Sequence, residues 1–335
     1  MEDVAREAGV ALSTVSYALS GTRPVSQATR DKIDAAMERL GYRPNVLARG
    51  LASRRSGILA LALPPARRGL GQTELDFVNG AVDAAEERGQ HVIVWPAALD
   101  SAADVEALLG NGLVDGVVLM EVRLDDPRVD ALAAEKRPFA MIGRTSDPAG
   151  LPYVDIDFEQ TLDDAVAHLA DLGHRSIAFV NHSRADFDAG YGPTVRSSAA
   201  FAAAIDARDL TGRESFCHDD AGDGVDTMER LLAEQPDLTA AIVMNEAAVP
   251  GMLQTLTSTG RRVPDDFSLV SVVSSTAVAR MTLPALTVFE APGRALGRAG
   301  VETLLDVIDG ASEHHTPVLV PCQFVAGDST AAAPA

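Results

Sequence analysis

A two-helix unit in the first twenty residues constrains this chain more than anything that follows. Val4–Val10 reads as the end of a short helix and a glycine turn, and Ser13–Leu19 reads as a second helix. Small Ala5 and Ala8 let the two helices cross closely. Gly9 suits the tight turn, and Val10, Val15 and Leu19 supply an apolar inner face. This is the pattern of a helix-turn-helix, whose second helix lies in the DNA major groove. A third helix is expected from Gln27 to Leu40, followed by Gly41-Tyr42-Arg43-Pro44-Asn45 and the short run Val46–Ser53.

Composition accords with a DNA-reading head on a larger body. A chain of 335 residues is too long for one ordinary core, and a 47% hydrophobic fraction is that of a packed protein. The net charge of −20 is unevenly spread. Residues 1–57 hold nine Arg or Lys against six Asp or Glu, a net of +3. The other 19 basic and 42 acidic residues give positions 58–335 a net of −23. Basic charge is thus segregated at the end that meets phosphate, and the acidic body discourages non-specific contact. No apolar run reaches the ~18 residues of a membrane span. The start Met1-Glu2-Asp3 carries no leader, so a cytoplasmic protein is expected. Cys217 and Cys322 are expected to be reduced and packed.

Past Ser53-Arg54-Arg55-Ser56-Gly57 the texture becomes alternating α/β. Strands are expected at 58–63, 91–95, 116–120 and 139–142, with helices at 73–88, 101–110 and 127–135. A second series begins after Tyr153–Asp157. Its strands are expected at 177–180, 241–244 and 269–273, with helices at 159–172, 195–207, 225–234 and 247–259. Two successive βαβ series predict two doubly wound parallel sheets. The run Ser329–Ala335 is small and uncapped, so a frayed tail is expected, and the chain ends without a leucine heptad.

On Asp3-Val4-Ala5, Ala8-Gly9-Val10, Ser13-Thr14-Val15-Ser16, Val25-Ser26, Thr29-Arg30 and Leu40–Asn45, the chain resembles the lactose-repressor (LacI/GalR) family of bacterial transcription regulators. The resemblance continues more loosely through the rest of the chain. It implies a helix-turn-helix domain over 1–44, a hinge helix and linker over 45–57, and a two-lobed body of periplasmic-binding-protein type over 58–335. Lobe 1 then takes about 58–156 and 292–320, and lobe 2 about 157–290 and 321–330. The chain crosses between them near 156–160, 289–293 and 320–324. Members of the family have a few residues ahead of Asp3-Val4-Ala5, so the native start is expected upstream of Met1, or the chain is shortened.

The function implied is that of a dimeric regulator, most simply a repressor of carbohydrate genes, holding double-stranded operator DNA and answering a small-molecule effector between the lobes. In the head, Ala11, Leu12 and Ser13 begin the reading helix, with Thr14, Ser16 and Tyr17 beside them. Ser13, Ser16 and Tyr17 can hydrogen-bond base edges or phosphates, and Leu12 can meet a thymine methyl or pack in the core. The family more often has arginine where Tyr17 stands, which alters the expected operator. Asn45, Ala48, Leu51 and Ala52 fall on the hinge helix, and the resemblance makes Leu51 a minor-groove wedge. Eight residues hold no helix unaided, so this segment is expected to fold on DNA.

For the effector, the resemblance singles out Asp76 and Phe77, Asp157, Arg196, Asn245, Glu246 and Thr276. Carboxylate, amide and guanidinium around an aromatic plane suit a polyol. Ser274-Ser275-Thr276 stands where the family usually has a gripping aspartate, which redistributes that contact. A purine or nucleoside is the alternative effector, and a plain solute-binding protein or a sugar kinase the alternative class. Against catalysis, Pro64-Pro65 replaces a phosphate-cradling glycine loop after the first strand, and no histidine pair has metal-ligand spacing. No cofactor is expected. Gly190-Tyr191-Gly192-Pro193 is expected as a loop over the cleft.

Overall fold

The computed structural model describes residues 1–20, 23–42, 55–63, 71–96, 99, 101–110, 112–311 and 316–334. In the head, α1 (Glu2–Ala8), α2 (Leu12–Ser20) and α3 (Gln27–Leu40) close over Val4, Ala5, Val15, Ala18, Ile33 and Ala36. Gly9 ends α1 at φ 66, the left-handed conformation that a side chain disfavours. Ser26 starts α3, its hydroxyl accepting the Thr29 N–H. The Leu19 side chain and the hinge residues Asn45, Ala48, Leu51 and Ala52 lie outside the described residues.

The body holds two six-stranded sheets flanked by helices. The first is built from β1 (Ile58–Ala62), β2 (His91–Trp95), β3 (Gly116–Leu119), β4 (Phe139–Ile142), β5 (Tyr153–Ile156) and β11 (Val318–Val320). All are parallel, in the order β11-β5-β4-β3-β1-β2. The second is built from β6 (Ser176–Asn181), β7 (Thr211–Phe216), β8 (Ala240–Val243), β9 (Ser268–Ser274), β10 (Thr287–Glu290) and β12 (Gln323–Val325). Its order is β12-β10-β9-β8-β6-β7, with β12 alone antiparallel. Strands β3, β4, β5, β6 and β8 are buried along their whole length, and β3, β4 and β8 accordingly appear in the sequence as unbroken apolar runs. The chain passes between the sheets after β5, after β10 and between β11 and β12.

Sequence reading and structure part in three places. Strand β7 has no apolar alternation because it is an edge strand with its first three residues exposed. After Val273 the sequence suggests no elements, yet the chain forms the helix Thr276–Ala279, β10, the helix Gly293–Asp309, β11 and β12. Three glycines mask the long helix. A Cβ on Gly297 would sit 2.1 Å from the Phe77 carbonyl oxygen, so glycine is required there by close approach. Lastly, Ser329–Ala335 is no frayed tail as far as the described residues reach. Ser329 is fully buried, accepts the Thr287 N–H at 2.8 Å through its hydroxyl and the Leu269 N–H at 2.8 Å through its carbonyl. Ala331 and Ala333 donate to Ser268 and Leu172. Hydroxyl and main-chain bonds, invisible to a hydrophobic pattern, hold this segment.

These bonds meet at His174, which is 1% exposed, with ring nitrogens 2.9 Å from the Thr239 and Ser268 hydroxyls. Burial holds its pKa below the ordinary 6.5. Above that value the ring is neutral in folded and unfolded chains alike. As pH falls below it, the unfolded chain takes a proton that the folded chain resists, so stability declines. Urea unfolding between about pH 7.5 and 5.5 should therefore show a shallower acid loss in His174→Gln than in the parent. Equal slopes would refute the assignment. Ser329→Ala should cost about 1–3 kcal/mol in the same assay, because the Thr287 N–H loses its buried acceptor.

Candidate functional site

Two surfaces carry polar groups placed for recognition. On the head, Ala11, Leu12 and Ser13 stand exposed at the start of α2, while Thr14, Ser16 and Tyr17 are half-buried. Leu12 is 43% exposed, so core packing is not its role. Tyr17 has a partner that sequence reasoning missed: the Arg23 guanidinium lies over its ring, 5.1 Å from the centroid. Arg6 and Arg39 are paired with Asp3 and Glu7, whereas Arg23, Arg30 and Lys32 make no ion pair among the described residues. Three cations are thus left for phosphate on the same small domain.

The second surface is a cleft of about 210 Å³ between the sheets. Lobe 1 contributes Gly71, Thr73, Glu74 and Phe77, then Met120, Glu121 and Val122 beyond β3, Ile142 and Gly143 at β4, and Asp155 and Ile156 on β5. Lobe 2 contributes Phe158, His182 after β6, Tyr191, Pro193, Asp219 after β7, Met244–Ala247 after β8, and Val273. The cleft therefore lies outside the carboxyl ends of both sheets, the usual ligand position in such folds. Glu121 and Val273 both hold left-handed backbone, φ 52 and 54, a strain of about 1–3 kcal/mol each that gathers at this wall. The Glu121 carbonyl is held by the buried Arg128, which also donates to the Met120 carbonyl and pairs with Asp126.

Of the residues singled out from sequence, Phe77, Asn245 and Glu246 line this cleft, and Asp76, Asp157, Arg196 and Thr276 do not. Each of the four has another task or neighbour. The Asp157 carboxylate caps the helix Phe158–Asp171 through the Gln160 N–H. Asp76 lies against Gly293, close enough that a Cβ there would be 3.0 Å away. The Thr276 N–H donates to Glu290 at 2.8 Å. Arg196 donates from one nitrogen to the carbonyls of Arg144 and Thr145, at 2.9 and 3.0 Å, tying its helix to the other lobe. Asn245, on the wall, spends its amide N–H groups on the Cys217 and His218 carbonyls. Glu246 accepts from Ser274 at 2.8 Å and, across the cleft, from Thr73 at 3.2 Å. Ser274, at the end of β9, thus holds the carboxylate that follows β8.

Sequence reasoning missed Glu121, Asp155, His182 and Asp219. Their one legible signal was position, on or just after strands. His182 pairs with Asp219 at 3.1 Å. Asp155 is buried against Arg144 at 2.8 Å. Burial pushes its carboxyl up to about 6, against the pull of Arg144 and Arg196. Of the loop expected over the cleft, Gly192 and Pro193 instead open the helix Gly192–Asp206, and the segment also joins the lobes. The Leu124 N–H donates to the Gly190 carbonyl at 2.7 Å and the Gly192 N–H to the Val122 carbonyl at 3.1 Å, a short antiparallel ribbon joining the lobes. Among the described residues, no group of His, Cys, Asp and Glu is placed to hold a metal ion, and no helix is long and apolar enough to cross a membrane.

Residues 1–45 match the family model described as bacterial regulatory proteins, lacI family, and residues 166–330 match a periplasmic binding protein-like domain. The transcriptional regulator CelR of Thermobifida fusca is 32% identical, over 98% of this chain and 97% of its own. Catabolite control protein A of Priestia megaterium is 29% identical over 98% of each. Among solved structures, a lac repressor dimer bound to operator and the anti-inducer ONPF superposes with a TM-score of 0.81 at 26% identity. A CelR–cellobiose complex does so with 0.72 at 27%, both over 98% of each chain.

A Cβ on Gly192 would meet the Val122 carbonyl oxygen at 2.7 Å and the Arg196 guanidinium at 2.5 Å. Gly192→Val should force the ribbon apart at a cost of about 1–3 kcal/mol in stability, as overpacking does. Small-angle scattering should then show a larger radius with helix content retained. An unchanged radius would mean that the ribbon does not hold the lobes together.

Proposed function

The chain belongs to the lacI family of bacterial regulatory proteins, and we propose that it represses genes of carbohydrate uptake or catabolism in response to a sugar held between its lobes. It is a ligand-responsive, DNA-binding transcriptional regulator, and two copies bind a palindromic operator. The observation that carries the sugar reading is the wall of the cleft. Glu74, Glu121, Asp219 and Glu246 bring carboxylates to it as acceptors for hydroxyl groups, while Phe77 and Tyr191 bring aromatic rings suited to the C–H surfaces of a pyranose. The related CelR has been seen with cellobiose, which makes that disaccharide the first ligand to try.

On DNA, Ala11, Leu12, Ser13, Thr14, Ser16 and Tyr17 form the reading face, and Arg23, stacked on Tyr17, supplies the charge that tyrosine lacks. Asn45, Ala48, Leu51 and Ala52 contribute contacts in the minor groove, with Leu51 as the wedge. In the cleft, Phe77, Asn245 and Glu246 touch the effector together with His182 and Asp219. Binding there changes the angle between the lobes and alters operator affinity by a coupling of roughly 1–3 kcal/mol. The role needs no catalytic step, and a regulator of chromosomal operators works in the cytoplasm.

Thermal unfolding with cellobiose, other sugars and nucleosides tests the effector class. A ligand at a hundred times its dissociation constant adds about 2.7 kcal/mol and raises the midpoint by several degrees. A response to nucleosides alone, or to none of the sugars, would sink the carbohydrate reading. Leu51→Ala should weaken specific operator binding by about 1–3 kcal/mol and leave effector binding intact, measured by fluorescence anisotropy and calorimetry. Unchanged operator affinity would remove the wedge from the mechanism.

A further inference from the structure

The linker that carries the head joins lobe 1 at Arg55–Ile58, and two carboxylates from distant parts of the chain hold it there. Asp115, on the turn before β3, accepts the Ser56 and Gly57 N–H groups at 2.6 and 2.9 Å and the Ser56 hydroxyl at 3.0 Å. The Asp115 N–H in turn donates to the Ile58 carbonyl at 2.8 Å. Gly57 holds φ 72, so this clasp fixes a left-handed turn as the chain enters β1. One residue earlier, the Arg55 guanidinium spans Asp309 at 2.7 Å and the Ile308 carbonyl at 3.0 Å. These close the C-terminus of the helix Gly293–Asp309, where the exposed carbonyls favour a cation. Neither Asp115 nor Asp309 lines the cleft, and neither lies in the head.

We infer that Asp115 and Asp309 are positioning residues for operator recognition: by fixing where and in what direction the linker leaves lobe 1, they set the spacing between operator half-sites that a dimer accepts. The inference rests on the regulator reading and its two paired heads. Once one head is docked, the second finds its half-site at an effective concentration set by the span and stiffness of the connection. A tether with a clamped end concentrates the second head at one distance and one rotation about the duplex. A tether with a loose end spreads it over several. Each added or removed base pair shifts the second half-site along the axis and around it, so clamping appears as intolerance to spacing.

The test uses the full chain and needs no effector. A palindromic duplex is recovered by selection from random sequence, then remade with one or two base pairs added or removed at its centre. The parent, Asp115→Asn and Asp309→Ala are titrated against the set by fluorescence anisotropy, with thermal midpoints measured alongside. The parent should lose roughly tenfold per misplaced base pair and the variants about twofold, a flattening of the spacing profile. A merely structural role would lower affinity at every spacing alike and leave the profile unchanged. Should Asp115→Asn melt early, Asp309→Ala decides the question, since its ion pair is solvent-exposed and unfolding is not expected. An unchanged profile in folded Asp309→Ala overturns the inference. A parent chain that selects no duplex overturns the regulator reading itself, and this inference with it.

Discussion

Lobe 1 depends on a contact that leaves no room for a side chain. The helices Gln72–Glu87 and Gly293–Asp309 meet backbone to backbone. A Cβ on Gly80 would lie 2.1 Å from the Arg294 carbonyl oxygen, and one on Gly297 would lie 2.1 Å from that of Phe77. Some two hundred residues separate the partners, so lobe 1 is completed only when the chain returns from lobe 2. Lobe 2 uses the same device locally: Gly224 and Gly251 let the helix Ala221–Glu234 pack against Ala248 and the helix Val249–Ser258. The ion pairs on the rim of the lobe 1 contact, Arg294 with Asp83 and Arg298 with Glu87, are exposed and contribute little. Close approach is what makes lobe 1, and therefore the cleft, a product of the whole chain.

How much of this was legible follows from the kind of signal each part leaves. Strands covered on both faces leave apolar runs, and four strands of the first sheet and three of the second could be drawn from sequence. Edge strand β7 and the glycine-bearing helix Gly293–Asp309 leave no such run, because exposure removes the pattern in one and close packing in the other. For the cleft, residue type was informative but direction was not. Asp157 and Asp219 are both acidic and both near strand ends, yet one caps a helix and the other faces the cavity. Arg196 has the chemistry of a ligand clamp, but its donors reach the carbonyls of Arg144 and Thr145 first. Sequence records what a side chain can bond, and only the loop geometry decides what it meets.

Charge is divided between the parts in a way that serves recognition. The body carries all of the chain's negative excess, and three head cations, Arg23, Arg30 and Lys32, have no ion pair among the described residues. Attraction to phosphate is thereby confined to the head, while repulsion from the body disfavours any arrangement in which the lobes lie along DNA. Where few cations meet phosphate, neutralising even one changes both affinity and its dependence on salt. Stacking on Tyr17 limits the freedom that Arg23 would lose on meeting phosphate.

Two of the ties between the lobes differ in what a ligand can do to them. The ribbon at Val122–Leu124 and Gly190–Gly192 is made of main-chain bonds, so no change of side-chain charge or rotamer removes it. The link from Thr73 to Glu246 is a single side-chain bond at 3.2 Å on the wall of the cavity, between groups that a ligand hydroxyl can replace. A ligand moves an equilibrium only through a difference in affinity between its states. A ligand hydroxyl at Thr73 and Glu246 would compete with an existing side-chain bond, whereas the bonds of the ribbon lie between main-chain groups. Thr73 begins the helix that packs through Gly80 and Phe77 against Gly293–Asp309, and the far end of that second helix holds Arg55. The first turn of one helix is thus joined through close backbone contact to the residue where the linker to the head begins.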